Sequence, residues 1–274
     1  MLKVYVDSGS SIKQDEKTKY NVEILPLKIM FGEKEYLDGI DLSYDEFYHH
    51  LIDNKEFPKT SLPNATNIAE EIDEFTSLGN DVIILCISSK ISGAYNYLNL
   101  FFNDNPRVHV IDTLSAVGGV RLIVEEINKY REENINVLLE KINKLIPKIR
   151  IVAIPEVLTY LHRGGRLSKT ACVLGTIAQL KPVITFKDGA VTVLAKIRGL
   201  KHAIKALANY VKELNCDTNY QIIPSYTYSD DNLKQAIELL DEPYKRCLSV
   251  KDNLDAAIAA HWGPNAFGFI FVAK

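Results

Sequence analysis

Cysteines are few in this sequence, long apolar runs are missing and net charge is almost absent, and each shortage excludes a class of protein. The 274 residues contain four cysteines, none of which forms a Cys-x-x-Cys pair. This scatter excludes zinc-ribbon spacing and disfavours a disulfide framework, so we expect reduced thiols inside a cytoplasmic protein. No apolar run approaches the roughly 18 residues that a membrane-spanning helix needs, so we expect no transmembrane segment.

The charged residues are nearly balanced in sign. The 32 lysines and arginines face 35 aspartates and glutamates, which gives a formal net charge of -3. A basic nucleic-acid surface or an acidic tail would leave a larger imbalance, so we expect no nucleic-acid partner. The six histidines lack metal-ligand spacing, because His49 and His50 are adjacent and their side chains diverge on a helix. We therefore expect no metal site.

What is present is material for a substantial core. Hydrophobic residues make up 47% of the chain and charged residues 24%, which is typical of a globular protein. The length exceeds what one small core usually spans, so one large or two modest domains are expected. Residues 1–7 already read as a strand rather than a signal peptide. After a strand near 149–155 we place a boundary, which predicts domains at 1–155 and 156–274.

The most informative stretch covers residues 83–102. The apolar run at 81–87 predicts a strand buried on both faces, and apolar residues at helical spacing after Ala94 predict a helix. Residues 88–93 must therefore turn the chain. The first N–H groups of such a helix can hold an oxyanion, with Ser92 as an added donor and Gly93 allowing close approach. The alternative is that Ser92 only caps its own helix.

Small polar residues follow each of three predicted strands. They occupy residues 7–11, 88–93 and 112–115, after strands that end near Val6, Ile87 and Ile111. In a parallel sheet the ends of such strands meet at one edge, which is where open α/β sheets bind ligands. A single turn of this kind would carry no information, but three predict a polar edge.

The remaining elements alternate between helices and strands. A hairpin is predicted around residues 31–33, and a capping box at Ser43 starts a helix. Residues 116–148 read as helix with a break near 133–136. Further strands are expected at 181–186, 190–196, 220–225, 247–250 and 267–273, with helices at 200–214, 230–240 and 256–260. Thr60 and Ser61 lie in a proline-bounded loop, for which turn chemistry is an alternative to ligand binding.

Six segments together resemble one known family. They are Val6-Asp-Ser8, Lys59-Thr-Ser-Leu-Pro63, Ser89-Lys-Ile-Ser-Gly93, Leu158-Thr-Tyr-Leu161 with Gly164-Gly-Arg-Leu167, Lys196-Ile-Arg-Gly199 and His261-x-Gly-Pro264. Their order and spacing resemble the DegV family of bacterial fatty-acid-binding proteins over essentially the whole chain. The resemblance implies a two-domain α/β fold. The N-terminal domain would have a mostly parallel sheet with helices on both faces, and the C-terminal α/β domain a mixed sheet.

The resemblance also implies a ligand and the residues that hold it. The expected ligand is a long-chain fatty acid of the palmitate, stearate or oleate class, buried in a tunnel. Its carboxylate would be held by Thr60 of the Thr60–Ser61 loop, by Ser92 with the Gly93 backbone, and by His261. No cofactor and no catalysis of its own are implied, so we expect a lipid-binding carrier.

A partner follows from the same resemblance. Related carriers present the fatty acid to a fatty-acid kinase, and the acyl phosphate then feeds phospholipid synthesis. Arg166 and Arg198 resemble arginines that meet membrane phosphate or the kinase. Lys169, Lys196 and Lys201 lie near them in the sequence, which predicts a transient contact with an anionic membrane.

The residues also leave two other functions open. A serine acyl hydrolase or transferase would use Ser92 as nucleophile and His261 as base, but the chain has no Gly-x-Ser-x-Gly elbow. A sugar-phosphate or nucleotide-phosphate binder would fit the anion site at the helix start. The chain has neither the Gly-x-Gly-x-x-Gly pattern nor the Gly-x-x-x-x-Gly-Lys-Ser/Thr loop that such binders use.

Overall fold

The computed structural model describes residues 1–167 and 179–274, which divide into two compact units. The first unit contains Met1–Ile146 and Asp255–Ala257, and the second contains Pro147–Leu254 and Ile258–Lys274. A division into compact units does not test whether residues 1–155 and 156–274 fold independently of each other. The domain boundary between residues 155 and 156 therefore stays a prediction.

The strands of the first unit form two sheets. In chain order they are β1 (Leu2–Asp7), β2 (Glu23–Leu25), β3 (Lys28–Phe31), β4 (Lys34–Leu37), β5 (Lys59–Ser61), β6 (Asp81–Cys86) and β7 (Val108–Asp112). The main sheet has the order β2-β1-β6-β7, and its neighbouring strands are all parallel. The second sheet is antiparallel, with the order β4-β3-β5.

The central strand β6 has the burial that its composition predicts. Residues 82–86 are fully buried, as expected for an apolar run inside a parallel sheet. On one face, Ile84 and Cys86 pack in a cluster with Ile72 and Leu98. Side chains alternate along a strand, so Ile83 and Leu85 point to the other face, where they are buried as well.

The first unit contains six described α-helices, of which the short helix Lys17–Tyr20 was not predicted from the sequence. They are Lys17–Tyr20, Tyr44–Tyr48, Thr66–Ser77, Ala94–Phe101, Gly118–Lys129 and Ile135–Leu145, with 3-10 turns at Ser8–Ser10, Gln14–Glu16 and Ile146–Lys148 and a π-helical turn at His49–Asp53. The break predicted near 133–136 is confirmed: Asn134 caps the second helix by accepting the N–H of Asn136 at 2.9 Å. Ser43 likewise accepts the N–H of Glu46 at 3.2 Å.

The second unit is built on a mixed sheet. Its strands are β8 (Ile149–Ile154), β9 (Leu180–Lys187), β10 (Ala190–Arg198), β11 (Ile223–Tyr226), β12 (Asp252–Asn253) and β13 (Phe267–Val272). The order is β10-β9-β8-β13-β11-β12, antiparallel except for the β11–β12 pair. The parallel sheet of the first unit and this separate mixed sheet confirm the predicted fold class.

Helices cover one face of the mixed sheet. The described helices of this part of the chain are Thr159–Arg163, Leu200–Glu213, Asp231–Glu238, Glu242–Lys245 and Ala256–Trp262. Side chains of Leu200–Glu213 and Asp231–Glu238 share a buried cluster with Val152, Val183 and Phe269 of the sheet. By alternation, the residues between these on each strand face the other side.

Two details of the sequence prediction are wrong. A strand was expected at 247–250, but Val250 is 84% exposed and Leu248 makes only a single bridge with Ile222. The pairing strand there is β12, a few residues later. The predicted hairpin also differs before its turn at residues 31–33, where the chain forms two strands, β2 and β3, because Pro26 between them lacks the N–H that a continuous ladder needs.

Candidate functional site

The polar turns after β1, β6 and β7 meet at one edge of the parallel sheet, as predicted. The N–H of Ile87 donates to Asp7 Oδ2 at 2.8 Å, and the N–H of Ser89 donates to Asp112 Oδ1 at 3.0 Å. Carboxylates at the ends of the two flanking strands therefore hold the turn after β6 from both sides. Burial raises the pKa of Asp7 to about 7, against the lowering effect of its bonds to the Ile87 and Gly9 N–H groups.

Ser92 is bonded to the start of its own helix. Its Oγ accepts the N–H of Ala94 at 3.2 Å, and the carbonyl of Gly93 accepts the N–H of Tyr97 at 3.0 Å. Gly93 is the N-cap residue and, among the described residues, no side chain caps this helix, so Ser92 forms a local turn rather than the expected cap, and that bond does not exclude a ligand. A hydroxyl oxygen that accepts one bond still has its own proton to donate. Ser92 is half-buried and Gly93 is exposed.

The strand that carries Thr60 lies beside this turn. Thr60 pairs with Ile29 in the β3–β5 ladder; it is half-buried, whereas Ser61 is exposed. A Cβ on Gly93 would stand 3.3 Å from Leu62 Cδ2. The first unit thus brings the segment 60–62 and the turn 92–93 together, although they are about thirty residues apart in the sequence.

His261 occupies a packed setting in the second unit. It lies in the last turn of the helix Ala256–Trp262. A Cβ on Gly164 would overlap His261 Nδ1 and stand 3.0 Å from Cε1, so only glycine admits the imidazole there. After the helix, Gly263 has φ +73° and lies against the ring of Tyr160, where a Cβ would also overlap.

The charge state of His261 follows from this packing. Burial, and then the nearby Arg166 guanidinium, lower the pKa of His261 to about 4. At neutral pH the imidazole is therefore uncharged and donates through one ring nitrogen. Arg166 is half-buried, and its Nη1 donates to the carbonyl of Gly164. Burial lowers the pKa of Arg166 as well.

Arg198 differs from Arg166 in its surroundings. It is the last residue of the edge strand β10, where Lys196 and Arg198 are exposed and Ile197 packs against the buried cluster. Lys201, in the first turn of the next helix, is exposed too. These three cations form a surface basic group. Lys169, the fourth cation of the predicted patch, lies outside the described residues.

Two residues that bond to the chain before and after His261 were not singled out from the sequence. Asp38 is fully buried, where it accepts the Ser8 hydroxyl at 2.7 Å and the Ala257 N–H at 3.2 Å. It thus holds the first turn of the helix whose last turn carries His261. Burial and the charge of Asp255 raise the pKa of Asp38. Asp255 itself pairs with Lys13 at 3.0 Å.

Thr227 is the second of these residues. Its hydroxyl donates to the carbonyl of Gly263 at 2.7 Å and accepts the N–H of Ala266 at 2.9 Å. Its backbone carbonyl accepts the N–H of Asn265 at 3.0 Å. Thr227 therefore fixes the loop that follows His261. No sequence signal distinguishes Thr227 or Asp38 from ordinary loop residues, because their partners are distant in the chain.

Two surface cavities of about 490 and 610 Å³ lie elsewhere in the first unit. Met1, Leu2, Asn21 and Arg131 line both of them, at the opposite end of β1 from Asp7. Their polar linings do not suit an acyl chain. Among residues 1–167 and 179–274, no group of His, Cys, Asp or Glu side chains is arranged to hold a metal ion. Nor does this part of the chain contain a helix long and apolar enough to cross a membrane.

Comparisons with family models, with known sequences and with solved structures all find similarity to one family. The family model described as "Uncharacterised protein, DegV family" matches residues 1–274. A DegV domain-containing protein of Caldanaerobacter subterraneus is 29% identical over 282 residues, which covers 99% of this chain and 98% of that protein.

Solved structures match over the same length. A fatty acid binding DegV family protein from Streptococcus agalactiae has a TM-score of 0.89 and 27% identity, covering 100% of this chain and 99% of its own. A stearic acid-binding protein from Eubacterium ventriosum has a TM-score of 0.86 and 27% identity, with the same coverage. A DegV family protein from Thermus thermophilus, described by its fatty acid binding, has a TM-score of 0.86 and 26% identity, again covering 100% and 99%.

Proposed function

This chain belongs to the DegV family along its full length, and on that basis we propose that it is a carrier that binds a long-chain fatty acid. Thr60, Ser92 and the Gly93 backbone are the proposed donors to the carboxylate, with Ser61 in the same loop. His261 is proposed as a further donor, since its neutral imidazole can donate one N–H. The observation that carries the proposal is the position of the Thr60 strand beside the Ser92–Gly93 turn.

The chemistry of these donors suits a fatty acid. Each buried methylene contributes about 0.8 kcal/mol, so a chain of about 16 carbons contributes on the order of 10 kcal/mol before ordering costs. That gain survives only if the carboxylate is not buried unpaired. Hydroxyl and amide donors satisfy it without requiring a second full charge to be desolvated.

Binding can be tested on delipidated protein. We expect purified protein to retain about one fatty acid per chain, identified by solvent extraction and mass spectrometry, and to rebind palmitate after delipidation. Thr60→Val and Ser92→Ala should each weaken palmitate binding about tenfold, the value of one hydrogen bond to a charged group. The matched control is Ser77→Ala, which removes an exposed hydroxyl bonded only within its helix. Wild-type affinity in both site variants would contradict the assignment.

We further propose that the bound fatty acid is presented to a fatty-acid kinase in the cytoplasm, where the acyl phosphate enters phospholipid synthesis. Neutral donors leave the carboxylate oxygen nucleophilic, whereas an arginine clamp would stabilise its charge. A Thr60→Arg variant should therefore accept phosphate more slowly from the kinase of the same organism. Transfer at the wild-type rate would contradict this reasoning.

Transient membrane contact is proposed for the basic group of Lys196, Arg198 and Lys201. Exposed cations near an edge strand attract anionic lipid, and salt screens that attraction. Co-sedimentation with phosphatidylglycerol vesicles should therefore fall as ionic strength rises. Replacing Lys196 and Arg198 by glutamine should reduce binding to vesicles without affecting palmitate binding. Salt-independent sedimentation would count against this contact.

The hydrolase alternative gains no support from the geometry. Ser92 is bonded to the N–H of Ala94, and an imidazole with a pKa near 4 is a weak base for activating a hydroxyl. A p-nitrophenyl acyl ester provides a direct test. Turnover that disappears in Ser92→Ala would favour the enzyme, whereas stoichiometric fatty acid without turnover would favour the carrier.

A further inference from the structure

Two cysteines of the second unit lie in one region of its core. Cys216 is buried in the cluster that joins the mixed sheet to its helices, and Cys247 packs against the same cluster. Cys216 is 3% exposed, whereas Cys247 is half-buried, and both are free thiols. The first follows the helix Leu200–Glu213 and the second follows the helix Glu242–Lys245. Their proximity is therefore produced by the fold and not by closeness in the sequence.

Backbone hydrogen bonds place these two segments side by side. The N–H of Ile222 donates to the carbonyl of Cys247 at 2.8 Å, and the N–H of Ser249 donates to the carbonyl of Ile222 at 2.9 Å. The Cys247 Sγ lies 3.3 Å from the carbonyl oxygen of Thr218. Thr218 is two residues beyond Cys216, so their Cα atoms are at most about 7 Å apart. The sulfur of Cys247 therefore lies against the turn that follows Cys216.

The pKa of Cys216 reports the same proximity. Burial, and then the charge of a Cys247 thiolate, raise this pKa to about 12. The charge of a Cys216 thiolate in turn raises the pKa of Tyr244, after the larger effect of burial. The carbonyl of Tyr244 accepts the Cys247 N–H at 3.1 Å. Because the interaction between charges weakens with distance, both pKa shifts place Cys216 near the segment of Cys247.

The two thiols differ in their access to solvent, which assigns them different roles. The thiolate is the reactive form of cysteine, and it reacts only where a reagent reaches it. Cys247 meets a dissolved oxidant first, because it is only half-buried. Cys216 is closed to solvent and is protonated at neutral pH, since its pKa is raised. Cys216 can therefore react only with a group beside it, and the Cys247 sulfur is such a group.

We propose that Cys216 and Cys247 are a reversible redox pair, which hydrogen peroxide converts into an intramolecular disulfide. Cys247 attacks one peroxide oxygen as a thiolate, the O–O bond breaks, and the products are a sulfenic acid on Cys247 and one water. Cys216 then attacks the sulfenic sulfur, so that the S–S bond forms and the S–O bond breaks. The hydroxyl leaves as a second water with the Cys216 proton. The two thiols lose two electrons in total, and these reduce the peroxide.

Oxidation of Cys247 also makes the second step easier. A sulfenic acid does not carry the thiolate charge, so one cause of the raised pKa of Cys216 is removed. Burial remains, so the disulfide forms more slowly than the sulfenic acid. In reducing compartments such pairs are usually transient and sense oxidants, which agrees with the reduced thiols expected from the sequence. The pair contains none of the proposed fatty-acid donors, so this inference is independent of fatty-acid binding.

The test maps disulfides in the folded, full-length protein. Cys172 is replaced by serine throughout, because it lies outside the described residues. The protein is oxidised with hydrogen peroxide, its remaining thiols are blocked with iodoacetamide, and its peptides are mapped by mass spectrometry without reductant. We expect a peptide in which Cys216 is linked to Cys247, and loss of that link in dithiothreitol. The oxidised form should unfold at a higher urea concentration, because a cross-link restricts the unfolded chain.

Single substitutions separate the two roles. Cys216→Ala should stop the reaction at the sulfenic acid of Cys247, which dimedone traps. Cys247→Ala should leave Cys216 unmodified, because the buried thiol then has no oxidised neighbour. The map of the protein that keeps both cysteines decides the proposal even if one of these variants fails to fold.

Cys86 is the matched control, since it is a fully buried thiol of the first unit whose pKa is raised well above its ordinary value. Cys86 should be oxidised on the order of tenfold more slowly than Cys247, and Cys86→Ala should keep the link between Cys216 and Cys247. Absence of the link, or a link that forms only in urea, would overturn the redox pair. A disulfide between the Cys247 residues of two copies, or equal oxidation of Cys86 and Cys247, would overturn it as well.

Discussion

Ser92 and His261 are proposed to serve the same carboxylate, yet the protein places them by different means. Ser92 is half-buried and bonded to an N–H two residues further along the chain. His261 is held by Gly164, a residue from a distant part of the second unit, and has its pKa lowered to about 4. One donor is positioned by local sequence and the other by tertiary packing.

The difference predicts unequal sensitivity to substitution. A locally formed turn can adjust to a small change, because its hydrogen bonds are reformed by its own residues. A side chain enclosed by close backbone contacts has no such freedom. The two glycines beside these donors, Gly93 and Gly164, make the comparison testable with the same substitution.

The largest effect is expected from Gly164→Ala. The added methyl group would overlap His261 Nδ1, so the imidazole must move, at a cost of about 3 kcal/mol in the free energy of unfolding. Urea denaturation measures the loss, and NMR titration should show the His261 pKa rising toward its ordinary value as the ring becomes solvated. Unchanged stability and an unchanged pKa would show that His261 is not held by this contact.

An effect of similar size is expected from pH. The pKa of His261 is about 4 in the folded protein and about 6.5 when unfolded, so only the unfolded chain gains this proton as pH falls between those values. The contribution of His261 to stability is therefore full above pH 6.5 and falls by about 3 kcal/mol toward pH 4.

His261→Asn isolates this contribution. The raised pKa values of Asp7 and Asp38 act in the opposite sense, since they favour the folded state at low pH and lose that effect as pH rises. Both aspartates remain in the variant, so their contributions cancel when the free energies of unfolding of wild type and His261→Asn are compared. The difference that is left reports His261 and should change with pH. A difference that stays constant from pH 7 to pH 4 would disprove a buried, neutral His261.

Thr227→Val tests the loop after His261 and should cost about 1.5 kcal/mol. The substitution keeps the side-chain shape but leaves the carbonyl of Gly263 and the N–H of Ala266 without the hydroxyl. Thr192→Val is the control, because that half-buried hydroxyl makes a single long bond of 3.4 Å in the same sheet. Equal costs in the two variants would mean that the loop does not depend on Thr227.

The smallest effect is expected from Gly93→Ala, within about 0.5 kcal/mol. Gly93 has φ -82°, which any residue adopts, and the flexible end of Leu62 can yield to a methyl group 3.3 Å away. Gly165→Ala provides the contrast, since φ +75° there should cost about 1 kcal/mol although no atom of the described residues lies within 4 Å of the new Cβ. A larger loss at Gly93 than at Gly165 would reverse this order.

The sequence predicted the parts of the fold that local signals determine. The strand–turn–helix at residues 81–101 was identified because an apolar run, a serine-rich turn and a helical repeat follow one another. The break predicted near residues 133–136 lies where the Asn134 side chain caps the next helix. In each case the interacting groups lie within a few residues.

The contacts that prediction missed join distant residues. Nothing around Gly164 indicates that it faces His261, and nothing around Asp38 indicates that it bonds to Ala257. The strand expected at 247–250 failed for the same reason, because pairing is decided by the partner strand as well as by composition. The site residues themselves were named through a family resemblance and stay predictions.

Thr60 stands on a strand of three residues at the margin of its sheet, paired with β3 on one side. Such a strand detaches at a far lower free-energy cost than the whole molecule unfolds, and its backbone amides exchange with solvent accordingly. If Thr60 holds a carboxylate as proposed, fraying of β5 would withdraw that donor while β1 and β6 keep their hydrogen bonds. Release of the lipid head would then depend on a local opening whose frequency deuterium uptake at residues 59–61 reports.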